Sequence, residues 1–320
     1  MGPNKSAKMT TIGLYINNAC NSYISFMKKI LFIIFSILVV LVLLLFYGRT
    51  GGFPGARGRE TSVLKSAAAS FTVTFLDVGQ GDAAFLESTE GAQMLVDCGR
   101  DGSILPALGR VMDFFDKEID YLLVTHPDLD HYGGCTDVLK RFDVKNIVYT
   151  GVDKPDSQWK YFWATVEAEG AEFLRIDARK SLSLGEGKLD FLFPDTAITR
   201  QENTNNTSIV FKFSFGEMDA LFVGDAEAEV ETHLVEKYGD YLDTEILKVG
   251  HHGSGSSSGS EFLRVVTPEI SIISVGADNH YGHPSGRVIK RLERMGSRIF
   301  RTDLAGDIKL RVYRDRVEKF

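Results

Sequence analysis

Between Val124 and Gly134 the chain reads VTHPDLDHYGG, which puts His126, Asp128, Asp130 and His131 within six residues. Neutral imidazoles and ionised carboxylates hold divalent cations when a rigid backbone makes them converge. His126 and Asp128, two apart, could serve one cation, and Asp130 and His131 a second beside it. A solvated turn rich in aspartate would explain one or two of these residues, not four directly after the apolar run DYLLVT (120–125). Asp97 ends the run QMLVD and Asp225 ends ALFVGD, while His251 and His252 follow EILKVG. A single carboxylate at a strand end can simply cap a turn. The recurrence carries the weight, because ligands in open α/β sheets gather past the carboxyl ends of strands.

The elements that must position these residues are short. FTVTFLDV, AAFLES and QMLVDCG are β-rich runs separated by glycine turns, and DYLLVT is a fully apolar strand. Periodicity predicts helices over 103–116, 133–142, 226–238, 259–266 and 284–295. Strands are predicted near 145–149, 172–176, 188–193, 244–249, 270–275, 297–301 and 307–313, with DALFVGD another. TSIVFKFSF alternates, with Ile209, Phe211, Phe213 and Phe215 on one face, the pattern of a half-buried strand. This α/β alternation predicts one domain over 70–320.

Ahead of it, Ile30–Phe46 is apolar at every position but Ser36, long enough to span a bilayer, which takes roughly 17–25 residues. No A-x-A cleavage site follows, so the run is expected to be an uncleaved anchor over 30–47 rather than a signal peptide. Residues 1–29 form a patternless tail in which Met27-Lys28-Lys29 resembles a start, and 48–69 read as a flexible linker. Lys28 and Lys29 before the run predict a cytoplasmic N-terminus and a body on the outer, extracellular side.

Residues 1–59 hold seven basic residues and no acid, leaving 29 basic and 43 acidic residues beyond them, a net of −14. A body so acidic has no general attraction for nucleic acid; a polyanion would need bound metal or a local basic groove. Cys20, Cys98 and Cys135 form no disulfide framework; a single Cys98–Cys135 bridge is conceivable in an oxidising space, but two separate buried thiols are the expectation. Nothing in the sequence points to a protein partner.

THPDLDHYGG, FVGD and KVGHHGS resemble the metallo-β-lactamase fold, whose usual core motif is HxHxDH. The match is closer to the extracellular hydrolase domain of the competence protein ComEC and its stand-alone relatives. FLDVGQGDAAFL, LVDCG, VTHPDLDHYGG, NNTSIVF, FVGDAEAEVE, LKVGHHGSGSSS, NHYGHPS and RTDLAGDIKL carry it, in that order, from Phe71 to about Val312. The resemblance implies a four-layer αββα sandwich and two divalent cations. It implies that His126 and Asp128 bind the first cation, that Asp130 and His131 bind the second, that Asp225 bridges both, and that His251 completes the second site. Asp97 and Asn205 would support these ligands by hydrogen bonding. His252 and His283 would act on substrate or move protons, with Asp130 also close to the reaction, and Ser254 would help to hold substrate.

Two departures from the general fold matter: Asp128 stands where a histidine is usual, and NNTS (205–208) replaces a further histidine. Both make the first site richer in oxygen, which favours Mn²⁺, with Zn²⁺ or Mg²⁺ as alternatives. The implied reaction is hydrolysis of a phosphodiester, possibly DNA, by metal-activated water. A cell-envelope phosphodiester, a small ester or lactone, and a binding protein with a vestigial site are the rivals. His233 and His280 are expected to be exposed and without function.

Overall fold

The computed structural model describes residues 69–196 and 203–320, together with Phe35. Apart from Phe35 and Ala69, the segments expected to be a tail, an anchor and a linker lie outside these residues. Among the described residues no helix is long and apolar enough to cross a membrane.

Two sheets carry the domain. The first uses β1 (Phe71–Phe75), β2 (Ala84–Ser88), β3 (Gln93–Val96), β4 (Glu118–Leu123), β5 (Asp143–Tyr149) and β6 (Glu172–Arg175), closed by β14 (Ile308–Val312) and β15 (Val317–Lys319), in the order β15-β14-β1-β2-β3-β4-β5-β6. The second uses β7 (Lys180–Leu184), β8 (Gly187–Phe193), β9 (Val210–Phe215), β10 (Met218–Phe222), β11 (Ile246–Lys248), β12 (Ile270–Ile273) and β13 (Arg298–Arg301), in the order β13-β12-β11-β10-β9-β8-β7. In each sheet one half is antiparallel and the other parallel: β3 to β6 run parallel in the first, β10 to β13 in the second. Parallel neighbours need crossovers, and helices provide them. α1 (Ile104–Leu108), α2 (Leu129–Tyr132), α3 (Cys135–Leu139) and α4 (Ser157–Glu169) serve the first sheet; α5 (Ala228–Tyr238), α6 (Ser260–Val266) and α7 (Gly286–Arg294) serve the second.

Three apolar cores define four layers. Phe71, Phe75, Phe211, Phe213 and Phe222 fill the space between the sheets. Ile104, Val138, Trp159 and Phe162 cover the outer face of the first sheet, and Val230, Leu234, Phe262 and Leu292 that of the second. The strand at 207–215 is therefore not half-buried: Phe211 and Phe213 face the inner core and Val210 the outer one. Its alternation misled because Lys212, only 6% exposed, spends its charge on Asp219 at 2.5 Å and on the Tyr241 and Asp243 carbonyls.

The helix expected at 103–116 ends at Leu108, and Asp113 and Asp116 then accept from the backbone N–H groups of Phe115 and Glu118. Short polar side chains compete in this way with a helix's own ladder. α4 was not expected, although Asp156 accepts from Trp159 N at its start, left-handed Gly170 ends it, and Trp159, Phe162 and Val166 line its buried face. Cys98 and Cys135 are not separate thiols: they form a disulfide with Cα atoms 5.2 Å apart. Cys98 N donates to the His131 carbonyl, so the end of β3 and the histidine loop lie side by side and bring the sulfurs together.

Candidate metal centre

The parallel halves of both sheets end at one edge, and the polar residues read from the sequence leave their strands there. Asp97 follows β3 with φ 57°, a left-handed conformation that aspartate tolerates better than most residues. The turn aims the carboxylate sideways: Oδ1 accepts from Thr125 N and Oδ2 from Thr125 Oγ1, both at 2.8 Å. Asp97 Oδ2 is also 2.8 Å from His131 Nδ1. That contact puts the ring proton on Nδ1 and leaves the Nε2 lone pair facing Asp225 Oδ1, 3.3 Å away.

A second imidazole is held by a backbone carbonyl with a carboxylate beside it. His252 Nδ1 is 3.0 Å from the Ser274 carbonyl and 3.1 Å from Asp82 Oδ1. Behind it, Asp82 Oδ2 pairs with Lys248 Nζ at 2.6 Å, with both side chains buried. His252 Nε2 then lies 3.4 Å from Asp130 Oδ2 and 3.5 Å from Asp225 Oδ2. His251 and His252 have φ of 47° and 52°. Consecutive non-glycine residues in that region are strained, and surrounding structure must hold them there.

The charge balance fits a cation. His126 Nε2, His131 Nε2, His252 Nε2 and Asp225 Oδ1 are buried and have no hydrogen-bond partner, an arrangement that is costly unless something polar sits among them. Among the described residues four groups of donor atoms lie mutually within 4.8 Å: His126, His131 and Asp225; Asp130, His131 and His252; Asp82, Asp97 and His131; and Asp82, Asp225 and His252. Burial would push His252 down, but the Asp225 and Asp82 carboxylates push it up to about 10. Burial likewise works against Asp130, yet His252 and His131 hold its carboxyl down at about 2. Imidazole and carboxylate donors with this negative field suit a divalent cation.

The structure brings together His126, Asp128, Asp130, His131, Asp225 and His252, with Asp97 behind them, but it separates the neighbouring histidines differently from the sequence reading. His252, not His251, meets Asp130 and Asp225; closeness to the strand end was the wrong criterion because the left-handed turn swings the second ring inward. His251 Nε2 stays 3.8 Å from Asp225, while its Nδ1 faces Glu227 Oε1 at 3.3 Å and Asn205 Nδ2 at 3.4 Å. Asn205 therefore supports His251 and Glu227. Ser254 does not face the cleft: it is 8% exposed, and its hydroxyl bonds Ser256 Oγ.

His283 does reach the opening, a cleft of about 190 Å³ that Gln80, Asp130, His251 and Tyr281 also line. Its ring stacks on Tyr281, and burial followed by the charges of His251 and His252 pushes its pKa down. His233 pairs with Asp195 at 2.8 Å and stays part-exposed, and His280 is exposed. Asp82, Lys248, Lys154 and Glu227 were missed as site residues. A lysine near the end of an apolar strand, as in EILKVG, was the available signal for Lys248.

The metallo-beta-lactamase superfamily model matches residues 76–277. ComE operon protein 3 of Bacillus subtilis (strain 168) is 32% identical over 267 residues, 78% of this chain and 34% of that protein. Competence protein ComA of Neisseria gonorrhoeae is 31% identical over 250 residues, 74% of this chain and 32% of that protein. The chain thus spans about a third of the length of these curated relatives. The crystal structure of the metallo-beta-lactamase fold protein YhfI from Bacillus subtilis superposes with a TM-score of 0.48 at 12% identity, covering 72% of this chain and 95% of that one. With two helix-flanked sheets, donors gathered where their parallel strands end, and a family match over most of the domain, the chain belongs to the metallo-beta-lactamase superfamily.

Proposed function

We propose that this chain is a membrane-anchored, extracellular phosphodiesterase that uses divalent cations held around Asp225, with Mn²⁺ preferred to Zn²⁺ or Mg²⁺. The observation that carries the hydrolase reading is the set of buried, partnerless donors on His126, His131, His252 and Asp225. A cation bound there supplies Lewis acidity, polarising the ester and making water a nucleophile at neutral pH. The chain's own residues do the rest. Asp97 fixes the ring proton of His131 on Nδ1, and the Ser274 carbonyl, with Asp82 beside it, fixes that of His252, so that both Nε2 lone pairs face inward. His283, at the mouth and with its pKa lowered, is placed to pass a proton to a leaving oxygen.

DNA as the phosphodiester rests on the resemblance of the motifs THPDLDHYGG, FVGD and KVGHHGS to the DNA-uptake competence family. The acidic body and the narrow cleft favour a short strand end or a small phosphodiester over long duplex. The apolar run 30–46 supports the anchor, and Lys28-Lys29 the outward placement.

The test is cleavage of single-stranded DNA, double-stranded DNA and bis-p-nitrophenyl phosphate by the full chain in detergent, with each metal in turn. Turnover with Mn²⁺ above that with Zn²⁺ is expected. Hydrolysis of carboxylic esters or lactones but of none of these substrates would move the reading to those esters; no hydrolysis of either kind would favour a binding protein.

A further inference from the structure

The carboxylates of the centre differ in what already faces them. His126 Nε2, His131 Nε2, His252 Nε2 and Asp225 Oδ1 are all buried without partners, and of the two exposed-side carboxylates Asp130 lies against His252. Asp128, the other, is engaged at both oxygens. Lys154 Nζ lies 2.8 Å from its Oδ1, and Thr204 Oγ1 lies 2.9 and 3.0 Å from its two oxygens. Lys154 also donates to the Pro127 carbonyl at 3.0 Å, so the ammonium is fixed at two points beside the histidine loop.

The donors repeat the asymmetry. Among the described residues, no three donor atoms mutually within 4.8 Å include Asp128 or His251, whereas His131, His252 and Asp225 recur in such groups. Among the described residues His126 Nε2 lies 3.6 Å from Asp128 Oδ2, and the donor group it does join, with His131 and Asp225, leaves Asp128 out. A divalent cation placed between His126 and Asp128 would share Asp128 with an ammonium, and two like charges a few ångströms apart in a part-buried site repel strongly.

We propose that Lys154 supplies the positive charge that a first cation would bring, so that this chain tightly retains one divalent cation, at Asp130, His131, Asp225 and His252. Thr204 completes the arrangement by holding the Asp128 carboxylate toward the lysine. The inference rests on the metal centre described above and concerns its stoichiometry, not its substrate.

The full chain in detergent is stripped with a chelator, reloaded with excess MnCl₂ and desalted. Its manganese content is then measured by plasma mass spectrometry and its electron paramagnetic resonance spectrum recorded. The wild type should keep about one ion per chain and show the hyperfine pattern of isolated Mn²⁺. Lys154→Met should bind a second ion at least about tenfold tighter and give the broadened spectrum of a coupled pair. Lys154→Arg, which keeps the charge, should behave as the wild type. Two tightly held ions in the wild type, or no gain in second-ion affinity in a folded Lys154→Met protein, would overturn the proposal. Retention of no ion would overturn the metal centre with it. Because metal content is the readout, the phosphodiesterase reading can fail without altering any of these outcomes.

Discussion

Around Asp225, the imidazoles of His131 and His252 each have a carboxylate at their back, whereas His126 has a hydroxyl, Thr125 Oγ1 at 3.1 Å from its Nδ1. Among the described residues the carboxylate of Asp130 has an imidazole as its ion-pair partner, while that of Asp128 carries an ammonium as well as an imidazole. One half of the centre is thus preorganised for a cation and the other is already charge-compensated by the chain. Donor residue types alone do not make a metal site. What lies behind each donor decides whether its lone pair is available, and those partners come from distant segments.

The largest change should follow removal of the shared carboxylate. Asp225→Ala takes away the residue that faces His131, His251 and His252 together, so turnover should fall beyond the roughly 10²–10³ that a single electrostatic contact is worth. The measurement is metal-dependent cleavage by protein shown to be folded by circular dichroism. Near wild-type activity would break the reading of the centre.

Next come the two rear carboxylates, which should each alter metal affinity by about 10–100-fold when changed to asparagine. Asp97→Asn and Asp82→Asn would still differ in stability. Asp82 also balances Lys248, whose side chain is 4% exposed, and leaving a buried charge uncompensated costs about 3–5 kcal/mol. Manganese titration alongside denaturant unfolding separates the effects. Equal stability losses in the two variants would mean that the Lys248 pair is not the structural member of the network.

A smaller effect lies beside the cleft. Glu231 on α5 accepts from the backbone N–H groups of Ser258 and Gly259 and ties down the serine-rich loop. Burial pushes its carboxyl up to about 7, although those N–H groups and Arg291 pull the other way. The folded state therefore binds this proton more tightly than the unfolded chain. The stability it adds is fully present below about pH 4.5 and is lost as pH rises through about 7, a contribution of up to about 3 kcal/mol. Thermal unfolding from pH 5 to 8 should show that slope in the wild type and a flatter one in Glu231→Gln. Identical slopes would remove Glu231 as its source.

The strand ends carried most of what could be read in advance. Asp97, His126, Asp225 and the histidine pair each follow an apolar run, so both the edge where they meet and the mixed fold were legible. Choosing between His251 and His252 was not, because it depends on two left-handed residues whose strain no composition reveals. Lys154 and Thr204 were invisible as partners of Asp128, since they stand 26 and 76 residues away from it. The Cys98–Cys135 pairing, across 37 residues, could be named from the sequence but not preferred, because nothing local brings the two sulfurs together. α4 was missed, although Asp156, Gly170 and the Trp159, Phe162 and Val166 spacing marked it.

The most direct test of the metal centre is anomalous diffraction from crystals of the protein grown with MnCl₂. The account predicts a strong peak within ligand distance of His131 Nε2, His252 Nε2, Asp130 and Asp225. A peak seated instead between His251 and Glu227, or none near Asp225, would contradict it.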